Sequence, residues 1–272
     1  MKIIYCFLFL WFLMGCSNED SSGPAQESDL FETIKNQNSR NKTGYLLDSS
    51  AFYVDSIIQK YIRETLNTGD KENFTYNIHK AALNPDNAMD AIISVNRLAY
   101  AKQTAIESGH VTQAEKLAYM GPFNAFIFYD GRSNSFSIPV PVPSSPLLPL
   151  DISFVNISSN QHKDLIVDFR IRNSSYKEVY FLFNNKPSKV FQWKNFDGLG
   201  THDSEAYAFG FNPGNGPVRD IIVYKAKIEA PKVAIDPFIF KPKILNSQEV
   251  QKKFFYVPAQ GKYFSTKDDP EG

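Results

Sequence analysis

From Phe123 onward, apolar side chains recur at every second position rather than at every third or fourth. In the segment DLIVDFRIRN this places four apolar residues on one face of an extended backbone: Leu165, Val167, Phe169 and Ile171. Segments of the same kind follow, separated by turn residues: EVYFLF, SKVFQW, EAYAFGF and RDIIVYKAKIE. The spacing predicts an antiparallel β-sandwich over residues 150–266, followed by a short tail at 267–272.

The opposite face of DLIVDFRIRN is polar, with Asp168, Arg170 and Arg172, and we expect it to be a solvated sheet surface. The longer run LIVDFRIRNSSYKEVYFLFNN resembles accessory immunoglobulin-like domains of secreted and envelope proteins. In those domains one strand ends in Asn-x-Ser and the next begins after a short polar turn. The resemblance implies an immunoglobulin-like sandwich and carries no chemistry with it.

Residues 45–122 show the 3.6-residue period of helices and predict a small helical bundle, which makes the expected fold class α+β. The pattern indicates four helices, at residues 49–69, 71–83, 84–109 and 112–121. In the third of them, Asn84 is the expected N-cap. Its apolar stripe is expected at Ala88, Ile92, Val95, Ala99 and Ile106.

Residues 123–149 are predicted to form a pair of strands and a Pro-rich connector. FNAFIFY is a strand, Asp130-Gly131 begins a turn, and SFSIPVPV returns as an edge strand. The prolines from Pro139 to Pro149 exclude a helix and a central strand. This leaves three interpretations of the Pro-rich run: a stiff connector, an edge segment leading into the next sheet, or a docking ligand for a partner.

The first residues follow the plan of a secretory signal, with a positive Lys2 and the apolar run Ile3–Met14. This run is too short to cross a bilayer, which takes roughly 20 residues. It ends in LMGC, which resembles the lipobox of bacterial lipoproteins. The resemblance implies that residues 1–15 are removed and that Cys16 receives fatty acyl chains such as palmitate. The alternative is an ordinary signal peptide with a chance Gly-Cys.

Residues 16–44 include a small, polar and acidic run and predict a flexible tether between the lipid and the folded body. Ser17, directly after the acylated cysteine, resembles the residue found there in lipoproteins sorted to the outer membrane. We therefore expect an outer-membrane location, on either the periplasmic or the surface face.

Composition and motifs favour few kinds of chemistry. Lys plus Arg equals Asp plus Glu, at 29 each, so no net field favours nucleic acid. No cysteine follows Cys16, and the four histidines are scattered, with the GLGTHDSE loop around His202 offering the nearest acidic neighbours. No serine-nucleophile elbow or phosphate loop occurs. We predict no cofactor, no metal site and no marked catalytic residue, with unmarked carboxylates left open.

Three aromatic residues in KVFQWKNFDG are candidate ligand contacts: Phe191, Trp193 and Phe196. Phe191 and Trp193 share one strand face, and exposed rings of this kind stack on sugars or peptides. Packing in the core is the commoner use of such side chains.

These features predict a lipid-anchored cell-envelope protein with a non-enzymatic binding or structural role. Two alternatives stay open: a secreted hydrolase that uses unmarked carboxylates, and a carbohydrate- or peptide-binding lipoprotein. The expected partners are the membrane, through the lipid, and an envelope protein or glycan.

Overall fold

The computed structural model describes residues 47–265, apart from 70, 87, 215 and 232. The signal segment, Cys16, the tether at 16–44 and the tail at 267–272 lie outside the described residues. From Ala51 onward the described chain belongs to one compact unit. Within it, two antiparallel sheets account for most of the regular structure.

The described helices are α1 (Leu47–Thr65), α2 (Leu98–Glu107) and α3 (Val111–Lys116). The first sheet contains β1 (Thr75–Ala81), β2 (Asp90–Asn96), β3 (Gly121–Asp130), β4 (Ser135–Phe136) and β5 (Val140–Ser144). Its strands run in the order β1-β2-β3-β4, and β5 also pairs with β3.

The second sheet contains β6 (Asp151–Val155), β7 (Asp164–Ile171), β8 (Ser174–Phe183), β9 (Lys186–Asp197), β10 (Glu205–Asn212), β11 (Asp220–Ile228), β12 (Ile244–Val257) and β13 (Lys262–Ser265). All eight strands lie side by side in chain order. The prediction of an antiparallel, sandwich-like β structure is therefore confirmed. The strand order is a meander, which differs from the Greek-key order of an immunoglobulin domain.

The two sheets share a core, in which the first sheet packs on β7 and β8. Ile92, Phe126 and Phe128 of the first sheet lie in one buried cluster with Leu165 and Val167 of the second. The opposite face of the first sheet is covered by α1, because a separate cluster joins the helix to β2 and β3: Ile58, Ile62, Ile93, Val95 and Ile127. The first sheet is thus buried on both faces.

The second sheet curls, so that its last strands pack over its middle. The ring of Phe191 on β9 lies 5.1 Å from that of Phe254 on β12 and 5.9 Å from that of Tyr263 on β13. In the sheet order three strands separate β9 from β13, so only a curled sheet brings these rings together.

The predicted helical bundle over residues 45–122 is wrong, although its first helix corresponds to α1 and the start of its fourth corresponds to the short α3. Residues predicted as the second and third helices instead form β1, β2 and only then α2. Asn84 does not cap a helix, since its Oδ1 accepts the N–H of Asp86 in a local turn. Ala91, Ile92, Ile93 and Val95 place apolar side chains on both sides of β2, because the strand is buried on both sides. Such a run fits a helical stripe equally well.

The Pro-rich run is an edge segment. Residues of β5 pair with β3, and Pro141 and Pro143 lie within this short strand. A buried polar network fixes the residues that follow. Asn96 Nδ2 donates to Asn124 Oδ1 at 2.9 Å and to the carbonyl of Pro146 at 2.8 Å.

Candidate functional site

A cleft of about 250 Å³ opens where the Pro-rich run, β7–β9 and the segment before β12 meet. Leu148 and Pro149 line one side, and Lys241, Pro242 and Ile244 line another. The floor comes from the sheet and includes Asp168, Arg170, Ser175, Asn195 and Phe196. We call this the Arg170 cleft.

Arg170 is the most unusual residue of the cleft, because it is charged and only 6% exposed. Its Nη2 donates to the carbonyl of Pro237, and its guanidinium lies over the Phe196 ring, 4.6 Å from the centroid. Its Nε is buried and has no hydrogen-bond partner among the described residues. Burial lowers the pKa of Arg170 to about 10, while Asp236 opposes the shift, so the side chain stays charged at neutral pH.

The acidic groups of the cleft are neutralised by neighbours. Lys177 Nζ donates to both oxygens of Asp168 at 2.8 Å, and Asn195 Nδ2 donates to Asp168 Oδ1 at 2.9 Å. At the mouth, Lys241 Nζ lies 3.2 Å from Asp151 Oδ2. The first pair is mostly buried and the second is exposed. Each carboxylate therefore has a basic partner.

The alternation of the sheet explains why these side chains meet. Asp151 and Asp168 are register partners, as are Asp168 and Lys177, so their side chains stand on one face of the second sheet. The next row on the same face begins two residues further along β7 and consists of Arg170, Ser175 and Phe196. This arrangement can hold an anion against Arg170 and hydrogen-bond it from the neighbouring polar row.

The predicted aromatic contacts are divided between two places. Phe196 is 4% exposed and lies at the Arg170 cleft. Phe191 is 6% exposed and belongs to the core of the curled sheet. Trp193 is half-buried there, with its ring 5.3 Å from Phe254 and its Nε1 without a partner among the described residues. The structure therefore does not bring the three rings together on one surface.

A second cleft, of about 540 Å³, lies beside the loop that joins β6 to β7. Ser158 Oγ donates to Asp164 Oδ1 at 2.7 Å and lies 3.3 Å from Nε2 of His162. Asp164 also accepts the N–H groups of Ile157 and Ser158. Because the serine hydroxyl is directed to the carboxylate, these contacts hold the loop and do not match a serine nucleophile with a histidine base.

Sequence reasoning missed Arg170 as a site residue and placed it on a solvated face, which is wrong. The alternation of β7 correctly separates its two faces, but both faces are covered in the folded chain. The segment between β11 and β12 provides the second cover, through Pro237 and an apolar cluster that contains Ile235 and Phe240. The alternation of polar and apolar residues in β7 does not indicate that the segment between β11 and β12 covers this strand.

In the part of the chain that the structure describes, no group of three or more His, Cys, Asp and Glu side chains is placed to hold a metal ion. Of the described helices, none combines the length and apolar character needed to cross a bilayer. The chain matches no protein-family model, no curated protein and no solved structure.

Proposed function

We propose that this chain is a lipid-anchored protein of the bacterial outer membrane whose β-sheet body binds a ligand without transforming it. The observation that carries the binding role is the buried, charged Arg170 at the floor of an open cleft. A buried cation with an unpartnered donor is a feature of recognition sites more than of passive surface.

The anchor rests on the first residues of the chain. A positive Lys2, a short apolar run and the LMGC sequence ending at Cys16 together fit a lipoprotein signal. Acyl burial contributes about 0.8 kcal/mol per CH₂, and one chain alone holds a protein only marginally. Several acyl chains on Cys16 are therefore the expected form of the anchor.

The binding role rests on the charges of the Arg170 cleft. Its two carboxylates each have a basic partner, whereas Arg170 forms an ion pair with no carboxylate of the described residues. The floor also offers polar groups at Ser175 and Asn195, and the walls are partly apolar. A few placed polar groups among apolar walls are typical of small-molecule sites.

The anchor is tested by metabolic labelling with an alkyne fatty acid in cells that express the full chain. Cys16→Ala is the test variant. Cys6→Ala is the matched control, because Cys6 lies inside the predicted signal. We expect label on the wild type and on Cys6→Ala, and none on Cys16→Ala. Equal absence of label from all three proteins would contradict the anchor.

The location is tested by separating inner and outer membranes from the same labelled cells. We expect the acylated wild type in the outer-membrane fraction and Cys16→Ala to be depleted from that fraction. Recovery of the acylated protein in the inner membrane would retain the anchor and contradict the outer-membrane assignment.

A further inference from the structure

We propose that the Arg170 cleft binds a small organic carboxylate, with the carboxylate against Arg170 and the apolar part against Phe196, Pro242 and Ile244. This inference rests on the binding role proposed above and gives the class of ligand. It does not depend on the lipid anchor.

Charge points to an anion. The cleft is lined by two acidic side chains, Asp151 and Asp168, and each of them is paired with a lysine, so these charges cancel. Among the described residues no carboxylate forms an ion pair with Arg170: its direct contacts are the carbonyl of Pro237 and the ring of Phe196, and Asp236 acts on it only from beyond ion-pair distance. A buried charge without a direct ion pair is costly, and a bound anion lowers that cost.

Hydrogen bonding points to the same place. Nη2 of Arg170 is occupied by Pro237, whereas the buried Nε has no partner in the described chain. The Ser175 hydroxyl accepts from Asn195 Nδ2 at 3.1 Å. Within the described chain it donates to no side chain or carbonyl, so its hydrogen can meet a ligand oxygen. Guanidinium and hydroxyl donors side by side suit the two oxygens of one carboxylate.

Size and wall chemistry restrict the rest of the ligand. A cleft of about 250 Å³ suits a small acid rather than a large ligand. Leucine, isoleucine and proline side chains line the walls. Inorganic phosphate needs donors on all its sides, and these apolar walls do not offer them. An acid with a short hydrocarbon body fits both the charged floor and the apolar walls of the cleft.

The test uses the full-length protein in detergent and ligand-observed NMR with propanoate, cyclohexanecarboxylate and benzoate. The matched amides of these acids have almost the same shape without the charge. Inorganic phosphate is the competing anion. We expect the acids to bind and the amides to show no saturable binding. Equal binding of acids and amides, preference for phosphate, or no binding of any acid would each overturn the proposal.

Two pairs of variants locate the site. Arg170→Gln removes the charge, and Arg172→Gln is its control on an exposed residue just beyond the same strand. Because Arg170 is buried, a second pair uses exposed lysines: Lys241→Glu at the mouth, and Lys243→Glu, which pairs with Glu229 outside the cleft. These two exposed changes are expected to leave the fold intact.

We expect Arg170→Gln to weaken acid binding about tenfold or more. Lys241→Glu should weaken it about two- to fivefold, in keeping with an exposed charge. Neither control should change the affinity. If Arg170→Gln does not fold, the comparison of Lys241→Glu with Lys243→Glu tests the proposal. Equal acid binding by Lys241→Glu and Lys243→Glu would place the bound acid away from the Arg170 cleft and overturn the proposal. Fatty-acid labelling reports on the lipid anchor alone, so a failure of the anchor can be distinguished from a failure of acid binding.

Discussion

The backbone N–H of Gly131 donates a 3.0 Å hydrogen bond to Oδ1 of Asp90, a carboxylate with no exposed surface. The other oxygen of Asp90 accepts the N–H of Leu83, also at 3.0 Å. One side chain therefore ties the turn after β3 to the turn before β2. Burial raises the pKa of Asp90, and the two backbone donors oppose that rise.

Replacing Asp90 by Asn is expected to destabilise the fold by about 1–3 kcal/mol. The amide oxygen can accept from one backbone N–H, but the amide nitrogen then faces the other donor. Asp203→Asn is the control, because Asp203 is 97% exposed. Urea unfolding of both variants at neutral pH measures the difference. Equal midpoints for the two variants would contradict the role given to Asp90.

Gly131→Ala tests the close approach at the same turn. A Cβ there would lie 2.0 Å from the carbonyl oxygen of Met89, which belongs to the backbone and cannot rotate away. We expect a cost of about 3 kcal/mol in the free energy of unfolding. Gly69→Ala is the control, since a Cβ at that position meets no atom within 4 Å. It should stay within roughly 0.5 kcal/mol of wild type, and the same loss in both variants would disprove the explanation.

The bidentate pair between Arg97 and Glu72 should be strongly coupled. Arg97 Nε and Nη2 donate to the two carboxylate oxygens at 2.6 and 2.7 Å, and both side chains are largely buried. A double-mutant cycle with Gln at each position is expected to give a coupling free energy of about 1.5–3 kcal/mol.

The matched control is the same cycle on Lys60 and Glu64, a pair at 3.8 Å on the exposed face of α1. That cycle should give about 0.5 kcal/mol or less, because water screens the charges. Similar coupling in the two cycles would show that burial of the first pair has no energetic effect.

Stability should depend on pH through Asp197. Hydrogen bonds from Lys194 and then Ser174 lower the pKa of Asp197 below its ordinary value of 3.8. The folded state thus holds the proton less tightly than the unfolded chain. The resulting contribution to stability is present above pH 3.8 and is lost as the pH falls through the lower folded pKa.

Urea unfolding of wild type and Asp197→Asn across this acidic range measures that contribution. The wild type should be the more stable protein near neutral pH, and the difference should shrink as the pH falls through the folded pKa of Asp197. Asp203→Asn again serves as the control and should show no such trend. A difference that stays constant through the acidic range would rule out the ion pair as its source.

Strands with one apolar face could be predicted from sequence, because alternation and turn residues mark them directly. β7 is an example, and its predicted position agrees with the structure within a few residues. The strand β2 could not be predicted in this way, because it carries apolar side chains on both faces. Ile92 faces the second sheet and Ile93 faces α1, so neighbours far away in the chain decide its structure.

The Arg170 cleft could not be predicted from the sequence, for a related reason. Its floor comes from three neighbouring strands, but its cover comes from residues near Pro237 and Pro242, which show no hydrophobic period. An arginine in an alternating strand is most simply a surface residue. Only the folded chain shows that this position lies beneath another segment.

The meander order of the second sheet has a consequence for how the chain folds. Each strand from β6 to β13 hydrogen-bonds only with strands adjacent to it in the chain. The longest loop to be closed, residues 229–243, joins β11 to β12. The entropic cost of loop closure grows slowly with length, and local pairing of this kind favours rapid folding. As the chain emerges during synthesis, each strand can dock on the one made just before it, so that the sheet can grow in one direction from β6 to β13.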